Sequence, residues 1–180
     1  DVSYSDLAAG VNRAGNVFLS LGLERGDRIL MIVKDDPAFY YAFWGAIKAG
    51  LVPVPLNTLL RAKDCAFVLE DSGASVLIWS PEYDEEVVPA LKAVASGPTH
   101  LIQTEGEGAT FRSMLADAST ELNPVATGAM DDCFWLYSSG STGNPKGAVH
   151  RHRDMVVSSQ RYGVETLGAE ASMVFVGNTK

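Results

Sequence analysis

The residues whose types and spacing best suit chemistry lie between Tyr137 and Gly147, where the sequence reads YSSGSTGNPKG. This stretch contains four Ser or Thr hydroxyls, three glycines and a single lysine, Lys146. Glycine lets backbone N–H groups approach an anion closely, the hydroxyls add donors, and the lysine ammonium supplies a mobile positive charge. Because charge-assisted hydrogen bonds contribute about 1.5 to 3 kcal/mol each, several of them would hold a polyphosphate firmly. The composition therefore predicts a phosphate-binding loop.

Two other kinds of segment have a similar composition. A flexible Ser/Gly linker is also polar and glycine-containing. A linker would need neither the Pro145-Lys146 dipeptide nor the apolar run at 134–136 that leads into the loop. The Walker A loop, G-x-x-x-x-G-K-[ST], also binds phosphates. Its spacing is not met, because the glycine position after Gly140 holds Pro145, and Gly147 rather than Ser or Thr follows the lysine.

The elements that must position this loop alternate between strand and helix. Short apolar runs rich in strand-forming residues predict strands at 28–33, 75–79 and 99–103. The helical period of apolar residues, with capping and stop signals, predicts helices at 7–21, 37–50, 62–70, 82–95 and, more weakly, 111–118. Crossover helices longer than ten residues predict an α/β fold with a mainly parallel sheet flanked by helices.

Further extended segments lie at 52–55 and on either side of the loop. The Val-Pro-Val-Pro run at 52–55 is extended but lacks two N–H donors, which predicts an edge strand or a passage rather than a central strand. Near the loop, we predict a strand at 133–137, a loop at 138–146 and a short return strand at 147–150. The loop therefore hangs between two strands instead of opening a helix. A helix near 154–166 and a strand-like run at 173–176 follow.

Composition and charge exclude several classes of function. The 47% hydrophobic content supplies enough apolar side chains for a core without disulfides. A formal charge of −8 opposes binding to nucleic acid or to an anionic membrane, and the purest apolar run is far too short to span a bilayer. Cys65 and Cys133 lie far apart, which suits a reducing compartment. We predict a soluble, cytoplasmic protein with neither nucleic-acid nor membrane partners.

Three further patterns have ordinary structural explanations. His150, His152 and Asp154 alternate as metal ligands do. The chain turns from strand to helix there, however, so no shared face and no metal site are predicted. The Arg-Gly-Asp tripeptide at 25–27 is read by adhesion receptors, but before a buried strand it is typical of a turn. The acidic residues at 82–86 suit the first turn of a helix.

The loop from Tyr137 to Gly147 resembles the signature loop of the adenylate-forming superfamily, which includes acyl-CoA ligases, luciferases and the adenylation domains of peptide synthetases. Earlier stretches resemble that family's landmarks in the same order along the chain, and these stretches lie at 4–7 with 12–13, 26–28, 45–50 and 53–57. The resemblance therefore spans nearly the whole chain. Residues 134–140, followed by Val149, His150, His152 and Asp154, look most like benzoate and aryl-CoA ligases.

This resemblance implies that residues 1–180 are a portion of the large N-terminal domain of such an enzyme. The implied reaction has two steps: a carboxylate attacks Mg-ATP to give an acyl-adenylate and pyrophosphate, and coenzyme A then displaces AMP. The implied phosphate-binding residues are Ser138, Ser139, Gly140, Ser141, Thr142, Gly143 and Lys146. Lys146 is also the implied catalytic residue. The family's adenine-, ribose- and acid-binding residues and its C-terminal catalytic lysine would lie after Lys180.

Three functions therefore remain open. The first is an ATP-dependent acid–CoA ligase for benzoate or a related aromatic acid, with the acid, ATP, Mg²⁺ and CoA as its small-molecule partners. The second is a ligase of the same chemistry for a fatty or short-chain acid. The third is a nucleotide-binding fragment without turnover. The residues after Lys180 would distinguish them, and no oligomeric state is predicted.

Overall fold

The computed structural model describes residues 2–138 and 143–173. Within them the first part forms a parallel four-stranded sheet between helices, and a two-stranded hairpin follows it. The strands in these described residues are, in chain order, β1 (Arg28–Ile32), β2 (Val52–Pro55), β3 (Val76–Trp79), β4 (His100–Gln103), β5 (Asp132–Ser138) and β6 (Lys146–Arg151). The α-helices in the same residues are α1 (Tyr4–Ser20), α2 (Pro37–Lys48), α3 (Ala62–Ser72), α4 (Asp84–Ala93), α5 (Phe111–Asp117) and α6 (His152–Ser158).

The parallel sheet has the strand order β2-β1-β3-β4, which confirms the predicted α/β fold. The strand at 52–55 lies at one edge, as its prolines predict. Val52 N donates to Asp27 O and Leu56 N to Met31 O, so the even-numbered residues face β1. The backbone groups of Pro53 and Pro55 therefore face away from β1, toward the edge of the parallel sheet. Proline has no N–H group to donate there.

Alternating side chains of the central strands divide the core into two layers. Ile29, Met31 and Ile78 pack against α1, α2 and α5 on one face of the sheet. Leu30 and Leu77 pack against α3 and α4 on the other face. Because both faces are covered, the strands read as continuous apolar runs, and this explains why they were predictable from the sequence.

Local hydrogen bonds set the ends of the helices. Helix α1 begins after Ser3, whose side chain accepts from Asp6 N at 3.2 Å while the Asp6 carboxylate accepts from Ser3 N, so the helix starts before the predicted position. Asp36 caps α2 by accepting from Ala38 N at 2.8 Å. The predicted helix at 82–95 is a 3₁₀ turn, Pro81–Tyr83, followed by α4.

The helix predicted near 154–166 begins two residues earlier. The Asp154 carboxylate accepts from Arg151 N at 2.9 Å, which fixes the first turn of α6 at His152. Helix α6 continues as a π-helical segment, Ser159–Thr166. Of the strand-like run at 173–176, only Met173 is described, and it is not in a strand. No helix in the described part of the chain is long and apolar enough to cross a membrane.

Candidate functional site

The predicted loop is held between two paired strands. Strands β5 and β6 are antiparallel. Ser138 lies opposite Lys146 at the end of the pair that the loop connects, and Tyr137 lies opposite Gly147 at the next position. Ser138 and Lys146 therefore end the strands, whereas the sequence placed both of them in the loop. The chain does not enter a helix directly after Lys146, so the geometry differs from a Walker-type loop.

The predicted phosphate-binding residues divide into two groups. Ser138, Gly143 and Lys146 are among the described residues, and they are exposed at the loop end of the hairpin. Ser139, Gly140, Ser141 and Thr142 lie outside the described residues. Gly143 has φ +137°, a conformation that side chains disfavour. Pro145 is buried between exposed neighbours, which is not expected of a flexible linker.

Lys146 supplies positive charge at the loop end of the hairpin. It is the first residue of β6, and it is exposed. Among residues 2–138 and 143–173, none of the ion pairs involves its ammonium. Since an ammonium is a compact, strongly hydrated point charge, it suits an incoming phosphate group.

Side chains on both faces of β5 hold the hairpin against the rest of the protein. On one face, the Phe134 ring stacks on His150 with centroids 4.6 Å apart and contacts Phe43 of α2 at 5.7 Å. On the other face, Trp135 and Tyr137 pack against the apolar layer that contains α3. Strand β5 therefore lies between the two helical layers, alongside the proline edge of β2.

The C-terminal end of α3 accepts hydrogen bonds from Tyr137 of β5 and from Arg28 of β1. Tyr137 Oη donates to Asp71 Oδ2 at 2.6 Å. Arg28 donates to the carbonyl oxygens of Ser72 and Gly73, each at 2.7 Å, and its guanidinium lies 5.8 Å from the ring centroid of Trp135. Burial, followed by the hydrogen bond to Asp71, raises the pKa of the Tyr137 phenol. The phenol therefore stays protonated, and remains a donor, at neutral pH.

The three residues with metal-like spacing have other contacts. His150 stacks on Phe134, and His152 N donates to Asp131 O at 3.2 Å. Asp154 accepts from Arg151 N and forms an ion pair with Arg153 at 3.6 Å. In the part of the chain that the structure describes, no group of three His, Cys, Asp or Glu side chains is arranged to hold a metal ion. Here these residues contribute to the fold.

Neither cysteine is a ready nucleophile. Cys65 and Cys133 are both unpaired and buried. Burial raises the pKa of each thiol to about 11. Both are therefore thiols rather than thiolates at neutral pH.

The edge of the sheet where ligands often bind is occupied by ion pairs. In open α/β sheets, ligands commonly bind beyond the carboxyl ends of the strands where the strand order reverses, which here is between β1 and β3. Lys34, just after β1, lies 2.8 Å from Glu82 and 2.6 Å from Glu105. The hydrogen bonds that Lys34 donates, the one to Glu105 foremost, raise the pKa of its ammonium group. The charge of this lysine is thus already neutralised.

The other charged patterns that the sequence singled out are structural. Arg25 forms an ion pair with Asp131, and Asp27 accepts from Glu24 N at 2.9 Å, so the Arg-Gly-Asp tripeptide forms the turn before β1. Glu86 accepts from Arg61 and from Ala62 N at 2.9 and 2.6 Å, and so joins α4 to the start of α3. This tie, like the Tyr137–Asp71 contact, has no signal in the sequence.

Comparison with known proteins identifies a family. The chain matches the family model described as AMP-binding enzyme over residues 1–176. It is 42% identical over 178 residues to the benzoate–CoA ligase of Thauera aromatica, covering 96% of this chain and 33% of that protein. It is 36% identical over 157 residues to a long-chain-fatty-acid–CoA ligase of Mycobacterium tuberculosis, covering 86% of this chain and 30% of that protein.

A solved structure shares the fold. A benzoate CoA ligase from Burkholderia xenovorans matches with a TM-score of 0.83 at 32% identity. That match covers 93% of this chain and 32% of the other. The chain thus spans about a third of the length of the curated relatives it matches.

Proposed function

This chain belongs to the AMP-binding enzyme family, and on that premise we propose that it is the N-terminal part of an ATP-dependent acid–CoA ligase. The proposed enzyme activates a carboxylic acid as its acyl-adenylate and transfers the acyl group to coenzyme A. Residues 1–180 would form a portion of its large N-terminal domain. The matched share of the relatives, about a third of their length, supports this assignment.

The observation that carries the proposal is the hairpin end, where Ser138 and Lys146 lie opposite each other across residues 139–142. A hydroxyl and an ammonium are thereby placed on either side of a segment rich in Ser, Thr and Gly. Groups that are positioned before the reaction stabilise developing charge without reorganising, and such positioning is usually a large contribution to catalysis.

In the first step, a carboxylate oxygen of the acid attacks the α-phosphorus of ATP. The bond from that phosphorus to the oxygen bridging the β-phosphate breaks, and pyrophosphate leaves with the electron pair. Lys146 and Ser138 would contact the β- and γ-phosphates and stabilise the charge that grows on them. Ser139, Gly140, Ser141, Thr142 and Gly143 would add hydroxyl and N–H donors. In the second step the CoA thiol loses its proton to solvent and its sulfur attacks the acyl carbon. The bond from that carbon to the phosphate oxygen of AMP breaks, and AMP leaves with the electron pair.

Magnesium would enter this reaction with ATP, as the Mg-ATP substrate. Mg²⁺ retains several waters and is commonly bound through substrate phosphates with one or two carboxylates. Mg²⁺ and Lys146 would then together neutralise part of the negative charge of the triphosphate. We further propose a cytoplasmic enzyme without nucleic-acid or membrane partners; its net charge of −8 and the two unpaired cysteines support this location.

Benzoate or a related aromatic acid is the proposed substrate. The 42% identity to a benzoate–CoA ligase supports it. The 36% identity to a long-chain-fatty-acid–CoA ligase supports a second candidate, an aliphatic acid. Both candidates require the same phosphate chemistry at the hairpin.

The experiment is an ATP–pyrophosphate exchange assay on the intact enzyme, run with a panel of aromatic and aliphatic acids. We expect exchange that depends on the acid and is fastest with benzoate or a substituted benzoate, and thioester once CoA is added. Faster exchange with fatty acids would overturn the aromatic assignment alone. The absence of exchange with every acid would overturn the proposed ligase activity.

The 180-residue chain is assayed beside the intact enzyme. We expect it to make no acyl-CoA, because a phosphate loop alone orients neither the adenine nor the carboxylate for attack. Thioester formation by the short chain would contradict its assignment as one part of a larger catalytic domain.

A further inference from the structure

The strand that leads into the loop is held at one point by a hydrogen bond between distant residues. Tyr137 directly precedes Ser138, and its hydroxyl donates to the Asp71 carboxylate at 2.6 Å across 66 positions of sequence. Asp71 lies in the last turn of α3, a helix packed on the parallel sheet. The base of the loop is thus joined to the body of the protein by a charge-assisted hydrogen bond.

Gly147 leaves room for this contact. It lies opposite Tyr137 in the hairpin, and a Cβ at this position would be 3.1 Å from Cζ of the tyrosine ring and 3.3 Å from Oη. Real Cβ atoms rarely approach other atoms so closely. The ring therefore lies over the glycine, and the residues that flank Ser138 and Lys146 are packed against each other.

A second contact on the same face of β5 reaches the same end of α3. Trp135 lies over the Arg28 guanidinium, which in turn donates to the carbonyl oxygens of Ser72 and Gly73. Within the described residues, β5 forms ladder hydrogen bonds with β6 and none with β2. Side chains rather than a backbone ladder therefore set the position of the hairpin relative to the sheet.

We propose that Tyr137 and Asp71 are positioning residues for ATP, and that their hydrogen bond fixes the spacing of Ser138 and Lys146 around the β- and γ-phosphates. This inference rests on the proposed ligase function. Neither side chain would touch the substrate. Their effect is confined to the half-reaction that uses ATP, because the second half-reaction needs no pyrophosphate site.

The test uses Tyr137→Phe and Asp71→Ala in the intact enzyme, singly and together. Each single change is expected to lower kcat/KM for ATP about threefold to tenfold, as expected for one lost hydrogen bond of roughly 0.7 to 1.4 kcal/mol. The double variant should be no slower than either single one, because both changes remove the same bond. Asp71→Asn, which keeps an acceptor oxygen, should restore part of the rate.

Two controls separate positioning from general damage. Tyr40 donates to Asp35 at 3.2 Å, a chemically similar pair that includes no residue of β5 or β6, so Tyr40→Phe should leave kcat/KM for ATP unchanged. Acyl transfer to CoA from preformed acyl-adenylate should proceed at the wild-type rate in every variant. Gly147→Ala, which displaces the ring, should slow only the ATP half-reaction.

Three results would overturn the inference: a Tyr137→Phe enzyme as fast as wild type, equal losses in both half-reactions, or single-variant effects that multiply in the double variant. A wild-type enzyme without acid-dependent exchange would overturn the proposed ligase function, and the inference with it. An active wild type matched by Tyr137→Phe would overturn the inference alone.

Discussion

The parallel sheet and the hairpin are stabilised in different ways. Strands β1 and β3 are buried along almost their whole length between two apolar layers. In β5 and β6, all of whose residues are described, only Cys133 is buried. The hairpin is held by individual contacts, such as the Tyr137–Asp71 hydrogen bond and the Phe134–His150 stack. Apolar burial therefore stabilises the sheet, while specific polar and aromatic contacts position the loop.

A substitution in the core of the sheet should have the greatest effect on stability. Leu77 of β3 is fully buried, and Leu77→Ala should lower the free energy of unfolding by about 2 to 5 kcal/mol, since the change leaves a cavity. Its register partner Leu101 on β4 is 50% exposed, so Leu101→Ala is the matched control and should cost far less. Chemical denaturation of the intact enzyme measures both.

Equal losses of stability for the two leucines would contradict this account of the sheet, because they would mean that burial does not determine its stability. Pyrophosphate exchange per folded molecule should remain near the wild-type value in both variants.

The next effect is on rate and belongs to the hairpin. Lys146→Ala should slow adenylate formation about 10- to 1000-fold, since a positioned charge on the leaving phosphates contributes roughly 1.4 to 4 kcal/mol. The unfolding midpoint should hardly change, because the side chain is exposed. Lys92→Ala, at an exposed lysine in the last turn of α4, is the control.

Acid-dependent pyrophosphate exchange reports the rate for both lysine variants. An unchanged rate in Lys146→Ala would rule out its role at the phosphates. A loss of stability similar to that of Leu77→Ala would instead assign this lysine to the fold.

The smallest effect concerns a polar contact within the sheet region. The hydrogen bond from Arg61, and then the one from Ala62 N, lower the pKa of Glu86 below its usual range. Such a group stabilises the folded protein at neutral pH, and the contribution is lost as the pH falls through the lowered folded pKa. Glu86→Gln should therefore lower the thermal midpoint slightly at pH 7, and the difference should shrink in acid below about pH 4.

Glu85→Gln, on the exposed side of the same turn, is the control for Glu86 and should not shift the midpoint. A large shift for Glu86→Gln would show that polar contacts also dominate stability in the sheet region. The sheet and the hairpin would then not differ in the kind of contact that stabilises them.

These differences explain what the sequence could predict. The central strands were predictable because burial on both faces produces continuous apolar runs. A phosphate-binding loop could be proposed from the sequence because the residues that suggest it lie within eleven consecutive positions. The Tyr137–Asp71 and Arg28–Trp135 contacts were not, because each joins residues far apart in the chain that local pattern does not relate. The early start of α1 was missed because Ser3 and Ser5 are equally good caps by type.

The proline edge of β2 has a consequence for motion. Because Pro53 and Pro55 present no N–H toward β5, the hairpin can separate from the sheet without breaking a backbone ladder. Among residues 2–138 and 143–173, the contacts that resist this opening are between side chains. The hairpin should therefore act as a separate opening unit, with amide hydrogen exchange faster than that of β1 and β3.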